Sequence, residues 1–205
     1  ATSPVLSLLG LEASFIVLCD GRHALALASS QDHKRLGDGD EGPNTGGMGA
    51  YSPAPVITPG IHAKVMREVI QPAINGMEKD GVPYVGFLYA GLMVGKEGRI
   101  KVLEFNCRMG DPETQPIMMR LKSDLVPLLE HAVEGALDRV EAEWDTRVAL
   151  GVVLAAHGYP DNPRKGDIIQ GLMLAGDDFH VFHAGTALRD KQVITHGGRV
   201  LCVTA

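Results

Sequence analysis

The chain is poor in several things that would have narrowed its role quickly. Its 205 residues include only three cysteines, one tryptophan and 5% aromatics. Cys19, Cys107 and Cys202 lie far apart with no paired spacing, which argues against a disulfide framework or a zinc knuckle and favours a reducing cytoplasm. Basic residues are also scarce: 19 Lys and Arg against 25 Asp and Glu leave a net charge of −6 and a pI near 5.7. That balance argues against nucleic acid or an anionic membrane as partner. No apolar run approaches the roughly 20 residues of a membrane span. The opening "ATSPVLSLLGLEASFIVLCDG" lacks a basic n-region and is broken by Glu12, so it does not read as a targeting signal. It reads instead as an internal segment, and "RVLCVTA" as a strand in which the chain stops. If the greasy residues 4 to 11 pack against nothing, self-association is expected.

What is present is ordinary globular material, 45% apolar and 21% charged. "EASFIVLCDGRHALALASS" reads as a hairpin turning at Asp20-Gly21. The stretch "SQDHKRLGDGDEGPNTGGMGAYSPAPVITPG" shows almost no core pattern and reads as a long functional loop. Thr58 and Pro59 then cap and start a helix, with Ile61, Val65, Val69, Ala73 and Met77 on its apolar stripe and Gly81 ending it. "YVGFLYAGLMVGKEGRIKVLEFN" is a second hairpin turning at Gly95 to Gly98. Asp111-Pro112 would cap a further helix, and Ser123 or Asp124 the next, which ends near Gly135. From about Arg147 the chain becomes a series of short strands punctuated by Gly and Pro. The expected division is 1–143 and 144–205, the second part small and β-rich. The expected fold class is α+β.

The chemistry concentrates in "KVLEFNCRMGDPET". Alternation places Ile100, Val102, Glu104 and Asn106 on one strand face, with Leu103 and Phe105 against core. A carboxylate and an amide oxygen about 7 Å apart can share one hard cation such as Mg²⁺, whose other ligands are phosphates and water. Arg108 offers a fork for carboxylate or phosphate, and Asp111 opens a helix. The pattern alone leaves this open against an ordinary polar strand edge with an Arg108–Asp111 surface ion pair. "GPNTGGMGAYSPAP" clusters Gly42, Gly46, Gly47 and Gly49, without the spacing of either common phosphate-binding glycine motif; it reads as an anion-binding backbone or as a flexible connection. Asp38, Asp40 and Glu41 lack the geometry of a calcium loop. His180 and His183 fall on opposite strand faces and read as structural, and Cys107 as a packing residue.

Taken together, "SQDHKR", "GPNTGGMGAYSPAP", "GFLYAGLM", "EFNCRMGDPETQP", "KSDLV", "FHAGT" and "GGRVLCVTA" resemble the phosphoribosylamine–glycine ligase (glycinamide ribonucleotide synthetase) family of the ATP-grasp superfamily, from about Glu12 to Ala205. The resemblance implies a carboxyl-terminal ATP-grasp subdomain, largely antiparallel sheet with helices, followed by a β-rich domain. It implies ATP-dependent ligation of glycine to phosphoribosylamine through an acyl phosphate, in purine biosynthesis, with Mg²⁺ or Mn²⁺. Glu104 and Asn106 fall on the family's metal ligands, and Arg108 on a catalytic position holding the glycine carboxylate or the transferring phosphoryl group. Glu12 matches a carboxylate on the nucleotide ribose. Asp32, Lys34, Asn44, Thr45, Gly46, Gly47, Asp111 and Glu113 are implied around the substrates. Family chains begin far upstream, so the resemblance also implies a complementing amino-terminal portion. Another ATP-grasp carboxylate–amine ligase, or a non-catalytic fragment, are the alternatives.

Overall fold

The computed structural model describes residues 10–173 and 175–205. Strand β1 (Gly10–Asp20) is the spine. Phe15, Ile16, Val17, Leu18 and Cys19 are all buried, because helices cover both faces of its sheet. It pairs antiparallel with β2 (Ala24–Ala26), making the expected hairpin, and on its other side with β5 (Val85–Gly95), which pairs in turn with the edge strand β6 (Ile100–Asn106). On one face, Phe15, Val17, Leu88, Ala90 and Leu92 meet Val65, Ile70 and Ile74. On the other, Ile16, Tyr89 and Ile117 form one cluster, and Leu18, Leu128, Ala132 and Leu137 another.

The helix after Thr58 forms as expected, and Ile61, Val65 and Val69 of its expected stripe pack on the core, but the inward face shifts partway along it. Thr58 Oγ1 accepts from Ile61 N at 3.3 Å, and Pro59 opens α1 (Pro59–Val65). A π-helical segment, Met66–Ile70, leads into α2 (Gln71–Lys79), and Gly81 takes a left-handed φ of +79°. The wider turn adds a residue to the period, so the buried positions run Val65, Ile70, Ile74. Ala73 and Met77, expected on the stripe, are only half-buried.

"SQDHKRLGDGDEGPNTGGMGAYS" is not a loop. It forms β3 (Gln31–Gly37) and β4 (Glu41–Ser52), joined by a tight turn at Asp38–Asp40. Its register runs Gln31↔Tyr51 to His33↔Gly49 and then jumps to Arg35↔Asn44, throwing Thr45–Met48 out of the ladder. A strand this rich in glycine carries no alternating apolar face, so periodicity could not reveal it. β4 continues into β7 (Ala149–Ala155), which pairs with β11 (Arg199–Thr204), itself paired with β8 (His180–His183). This five-stranded sheet, in the order β3-β4-β7-β11-β8, runs across the expected 143/144 division. β9 (Thr186–Arg189) and β10 (Gln192–Thr195) make a separate hairpin. Within the expected series of short strands after Arg147, "DIIQGL" forms none and contributes only an isolated bridge, Ile168↔Ile194.

Helix α3 (Thr114–Arg120) starts three residues later than Asp111. Asp111 does not cap it, because its carboxylate is engaged by Arg199. Helix α4 (Leu125–Glu134) is capped as expected, with Asp124 Oδ1 accepting from Val126 N at 2.9 Å and Gly135 at φ +71°. Cys107 is exposed rather than packed, whereas Cys19 and Cys202 are buried.

Asp20 shows how the hairpin is tied to the rest. Its side chain is fully buried and accepts from the amides of Arg22 (2.9 Å), His23 (2.7 Å) and Leu137 (3.1 Å) and from His23 Nδ1. Burial alone would raise its pKa; these donors overcome that and hold it at about 2, below the ordinary 3.8. The resulting stabilisation is complete above the unfolded value and lost as pH falls through the folded one. Asp20→Asn is therefore expected to cost about 2 kcal/mol at pH 7, with the difference closing towards pH 2. Urea unfolding of both proteins across that range checks it; a pH-independent difference contradicts it.

Candidate active site

The cleft lies between the edge of the first sheet and the bulge of β4. Asp32, Lys34, Gly46, Tyr89, Glu104, Arg108, Asp111 and Glu113 line a cavity of about 50 Å³. Seven of these eight were read from sequence; Tyr89 was not.

A β-bulge aims the polar end of β6. Asn106 stands opposite Tyr89 and Glu104 opposite Gly91, but Leu92 pairs with Val102 because the register shifts at Leu103. Paired residues share a sheet face, so Ile100 and Val102 lie with Val94 and Leu92 while Glu104 and Asn106 lie on the opposite, cleft-facing side. The expected common face of Ile100, Val102, Glu104 and Asn106 is thereby corrected. So is the burial of Leu103 and Phe105, which are 39% and 45% exposed on an edge strand.

From β3, Lys34 pairs with Glu12 of β1. Burial disfavours the Lys34 charge, but Glu12, Asp32 and Glu104 more than compensate and raise its pKa. Asp32 Oδ1 is buried with no hydrogen-bond partner among the described residues. Burial, followed by the nearby charge of Glu113, pushes Asp32 up to about 7. Glu113, 2% exposed, accepts from Ser14 Oγ at 2.7 Å, and Ser14 is 3.0 Å from Tyr89 Oη. Burial and the Glu113 charge raise Tyr89, leaving its hydroxyl intact. Arg108 places its guanidinium 5.9 Å from the Tyr89 ring centroid and donates to Met109 O at 2.8 Å.

The glycine bulge is not an open anion nest. Gly46 N donates to Tyr159 Oη at 3.0 Å, and Gly47 N to Thr45 Oγ1 at 3.0 Å, while Thr45 Oγ1 donates to Lys34 O. The glycines serve close approach instead. Gly47 has φ +113°, and a Cβ there would lie 2.5 Å from Pro112 Cδ and 2.6 Å from Asp32 Oδ1. Asn44 sits opposite Arg35, exposed, and does not line the cavity. Asp111 is held by Arg199, a residue that sequence reasoning passed over although it lies in the "GGRVL" block. Ser14 carried no signal beyond its place in an apolar strand.

Among the described residues, no three His, Cys, Asp or Glu side chains are grouped for a metal. Glu104 and Asn106 nonetheless fit a hard cation that takes most of its ligands from phosphates and water. Both offer oxygen, and Asn106 Nδ2 is buried without a partner among the described residues, so no bond fixes which end of the amide faces the cleft.

The chain is similar to known proteins over nearly its whole length. Residues 6–114 match the ATP-grasp (A) domain of phosphoribosylglycinamide synthetase, and residues 149–205 match its C domain. The chain is 65% identical over 196 residues to phosphoribosylamine–glycine ligase of Ralstonia nicotianae, covering 96% of this chain and 46% of that one. The Escherichia coli O157:H7 ligase is 63% identical over 198 residues, with the same coverage. The crystal structure of the Thermotoga maritima ligase superposes with a TM-score of 0.82 at 39% identity, covering 96% of this chain and 48% of that one. A biotin carboxylase domain from Hydrogenobacter thermophilus shares the fold, with a TM-score of 0.68 at 15% identity. The chain thus spans about half the length of the curated relatives it matches. Its fold is α+β, shared with ATP-grasp enzymes, and the chain belongs to the phosphoribosylglycinamide synthetase family.

Proposed function

We propose that the cleft serves ATP-dependent ligation of glycine to 5-phosphoribosylamine, giving glycinamide ribonucleotide, ADP and phosphate through a glycyl phosphate, in purine biosynthesis. The observation that carries this reading is the meeting of Glu104 and Arg108 with Asp32, Lys34 and Glu113 around one small cavity, with Asn106 on the same strand face as Glu104, in a chain of this family. We divide the chain at 143/144, in keeping with the two separate family matches, and place it in the cytoplasm, in keeping with three unpaired cysteines. No described helix is long and apolar enough to cross a membrane.

Glu104 and Asn106 would hold Mg²⁺ or Mn²⁺. The bound ion supplies charge neutralisation for the phosphates and the transferring phosphoryl group. Arg108, steadied by Tyr89, orients the glycine carboxylate or the phosphoryl group through its fork. Lys34 adds a second positive charge and holds Glu12, the carboxylate assigned to the nucleotide ribose. When the phosphoribosylamine nitrogen forms its bond to the glycyl carbonyl carbon and phosphate leaves, the nitrogen sheds one proton. Asp32 Oδ1, unpartnered and with an affinity for protons near neutrality, takes it. Asp111, Glu113, Thr45, Gly46 and Gly47 shape the substrate side, and Asn44 borders it. Self-association through residues 4 to 11, or a complementing amino-terminal partner, belongs to the same reading. Residues 4 to 9 lie outside those described, and Leu11 is 56% exposed.

Calorimetric titration of MgATP into this chain, beside Glu104→Ala, tests the proposal. Heat of binding is expected in the parent chain, weakened at least about tenfold in the variant. Equal binding by both proteins would remove Glu104 from the site. Absence of heat in both would show that this chain does not hold the nucleotide by itself.

A further inference from the structure

Two side chains of the carboxyl-terminal part reach into the cleft wall and grip the same glycine. Arg199 Nη1 donates to Gly46 O at 2.6 Å and to Asp111 O at 2.9 Å, with Gly47 O at 3.4 Å; its Nη2 donates to Asp111 Oδ2 at 3.0 Å. Tyr159 Oη takes the amide of Gly46 at 3.0 Å. Gly46 is thus held at both its N–H and its C=O by residues more than a hundred positions away. The two gripping residues are set by close packing. A Cβ at Gly198 would fall 2.5 Å from the Tyr159 ring, and one at Gly185 would fall 2.5 Å from Arg199 O. The Arg199 side chain is only 22% exposed.

We propose that Arg199 is a positioning residue: its guanidinium ties the Gly46–Gly47 bulge to Asp111 and so sets the separation of the two cleft walls. One wall carries Asp32 and Lys34 on β3, which is laddered to β4; the other carries Arg108, Asp111 and Glu113. No other single side chain described here bonds to both. A guanidinium suits the task because its planar fork serves two carbonyls and a carboxylate at once, which an ammonium cannot do with fixed geometry. Gly46 leaves room for this grip: a Cβ there would sit 3.0 Å from Arg199 Cζ, so the guanidinium would have to give by a few tenths of an ångström. The carboxyl-terminal part therefore contributes to the geometry of the ligand cleft as well as to the shared sheet.

The test compares Arg199→Met, Arg199→Lys and Asp124→Ala with the parent chain. The last variant removes the cap of α4, away from the cleft, and serves as a control for loss of stability. The readouts are MgADP binding by calorimetry and amide hydrogen exchange. Arg199→Met is expected to weaken MgADP about tenfold or more and to speed exchange at Gly46 and Gly47 by at least about tenfold, leaving the β1–β5 amides unchanged. Arg199→Lys should recover part of both losses, and Asp124→Ala should move neither. Parent-like MgADP binding by Arg199→Met, or an equal loss in Asp124→Ala, overturns the proposal. The binding arm rests on the nucleotide reading of the cleft, and the exchange arm does not. If the parent binds no MgADP, that reading fails by itself and exchange decides: unchanged protection of Gly46 and Gly47 in Arg199→Met overturns the clamp, and selective loss upholds it.

Discussion

Gly47→Ala is expected to abolish measurable MgATP binding and to lower stability by about 2–4 kcal/mol. Two independent penalties meet at this position. The backbone sits at φ +113°, where a residue with a Cβ is strained, and the added carbon would meet Pro112 Cδ at 2.5 Å and Asp32 Oδ1 at 2.6 Å. Neither neighbour can withdraw cheaply. The Pro112 ring is fully buried, and Asp32 is held within the β3–β4 ladder. The bulge must therefore move away from the 111–113 turn, opening the cleft at the point Arg199 closes. Urea unfolding reads the stability term and calorimetry reads the binding term. Binding retained with stability lost would show that the bulge does not shape the nucleotide cleft.

Arg120→Met should destabilise the chain by about 3–5 kcal/mol without touching the cleft. Arg120 is 8% exposed, and among the described residues no carboxylate pairs with it directly. It donates to Asp145 O (3.2 and 2.8 Å), to Arg147 O (2.9 Å) and to Ser52 Oγ (2.9 Å). One guanidinium thereby fastens residues 145 to 147, between the two family matches, onto α3 and the end of β4. Burial lowers its pKa, partly offset by Asp145, and the methionine left in its place satisfies none of the three residues. Trp144, the single tryptophan, lies beside this fastening and pairs with Leu121, so its fluorescence should shift towards that of a solvated indole. A variant with parent-like urea midpoint and Trp144 emission would mean that the linking segment is held by its packing alone.

The regular elements were legible where a local signal was strong. Asp20-Gly21 marked a hairpin, Thr58-Pro59 and Gly81 bracketed a helix, and Asp124 and Gly135 bracketed another, because capping and turn preferences act within a few residues. The inward face of the first helix was legible only in its first half: Ile61, Val65 and Val69 do pack on the core, but the π-helical segment at Met66–Ile70 brings Ile70 and Ile74 inward in place of Ala73 and Met77. The glycine-rich strand β4 was invisible for a different reason. Its partners, β3 and β7, supply what its own side chains lack.

The candidate site divides along the same line. The sequence by itself determined the donors: Glu104, Asn106 and Arg108 at one strand end, Asp32 and Lys34 in "SQDHKR", and a glycine-rich block that family likeness tied to them. Residue type and order suffice for this, because oxygen donors, a guanidinium and glycine have fixed chemistry wherever they stand. Only the tertiary structure decided which way those groups point and what holds them. The bulge at Leu103 turned Glu104 and Asn106 away from Val102, the β4 bulge brought Gly47 against Asp32, and Arg199 crossed from the far end of the chain to fasten both walls. Register shifts and long-range hydrogen bonds depend on the partner strand as much as on the strand itself, so no local reading of the chain contains them.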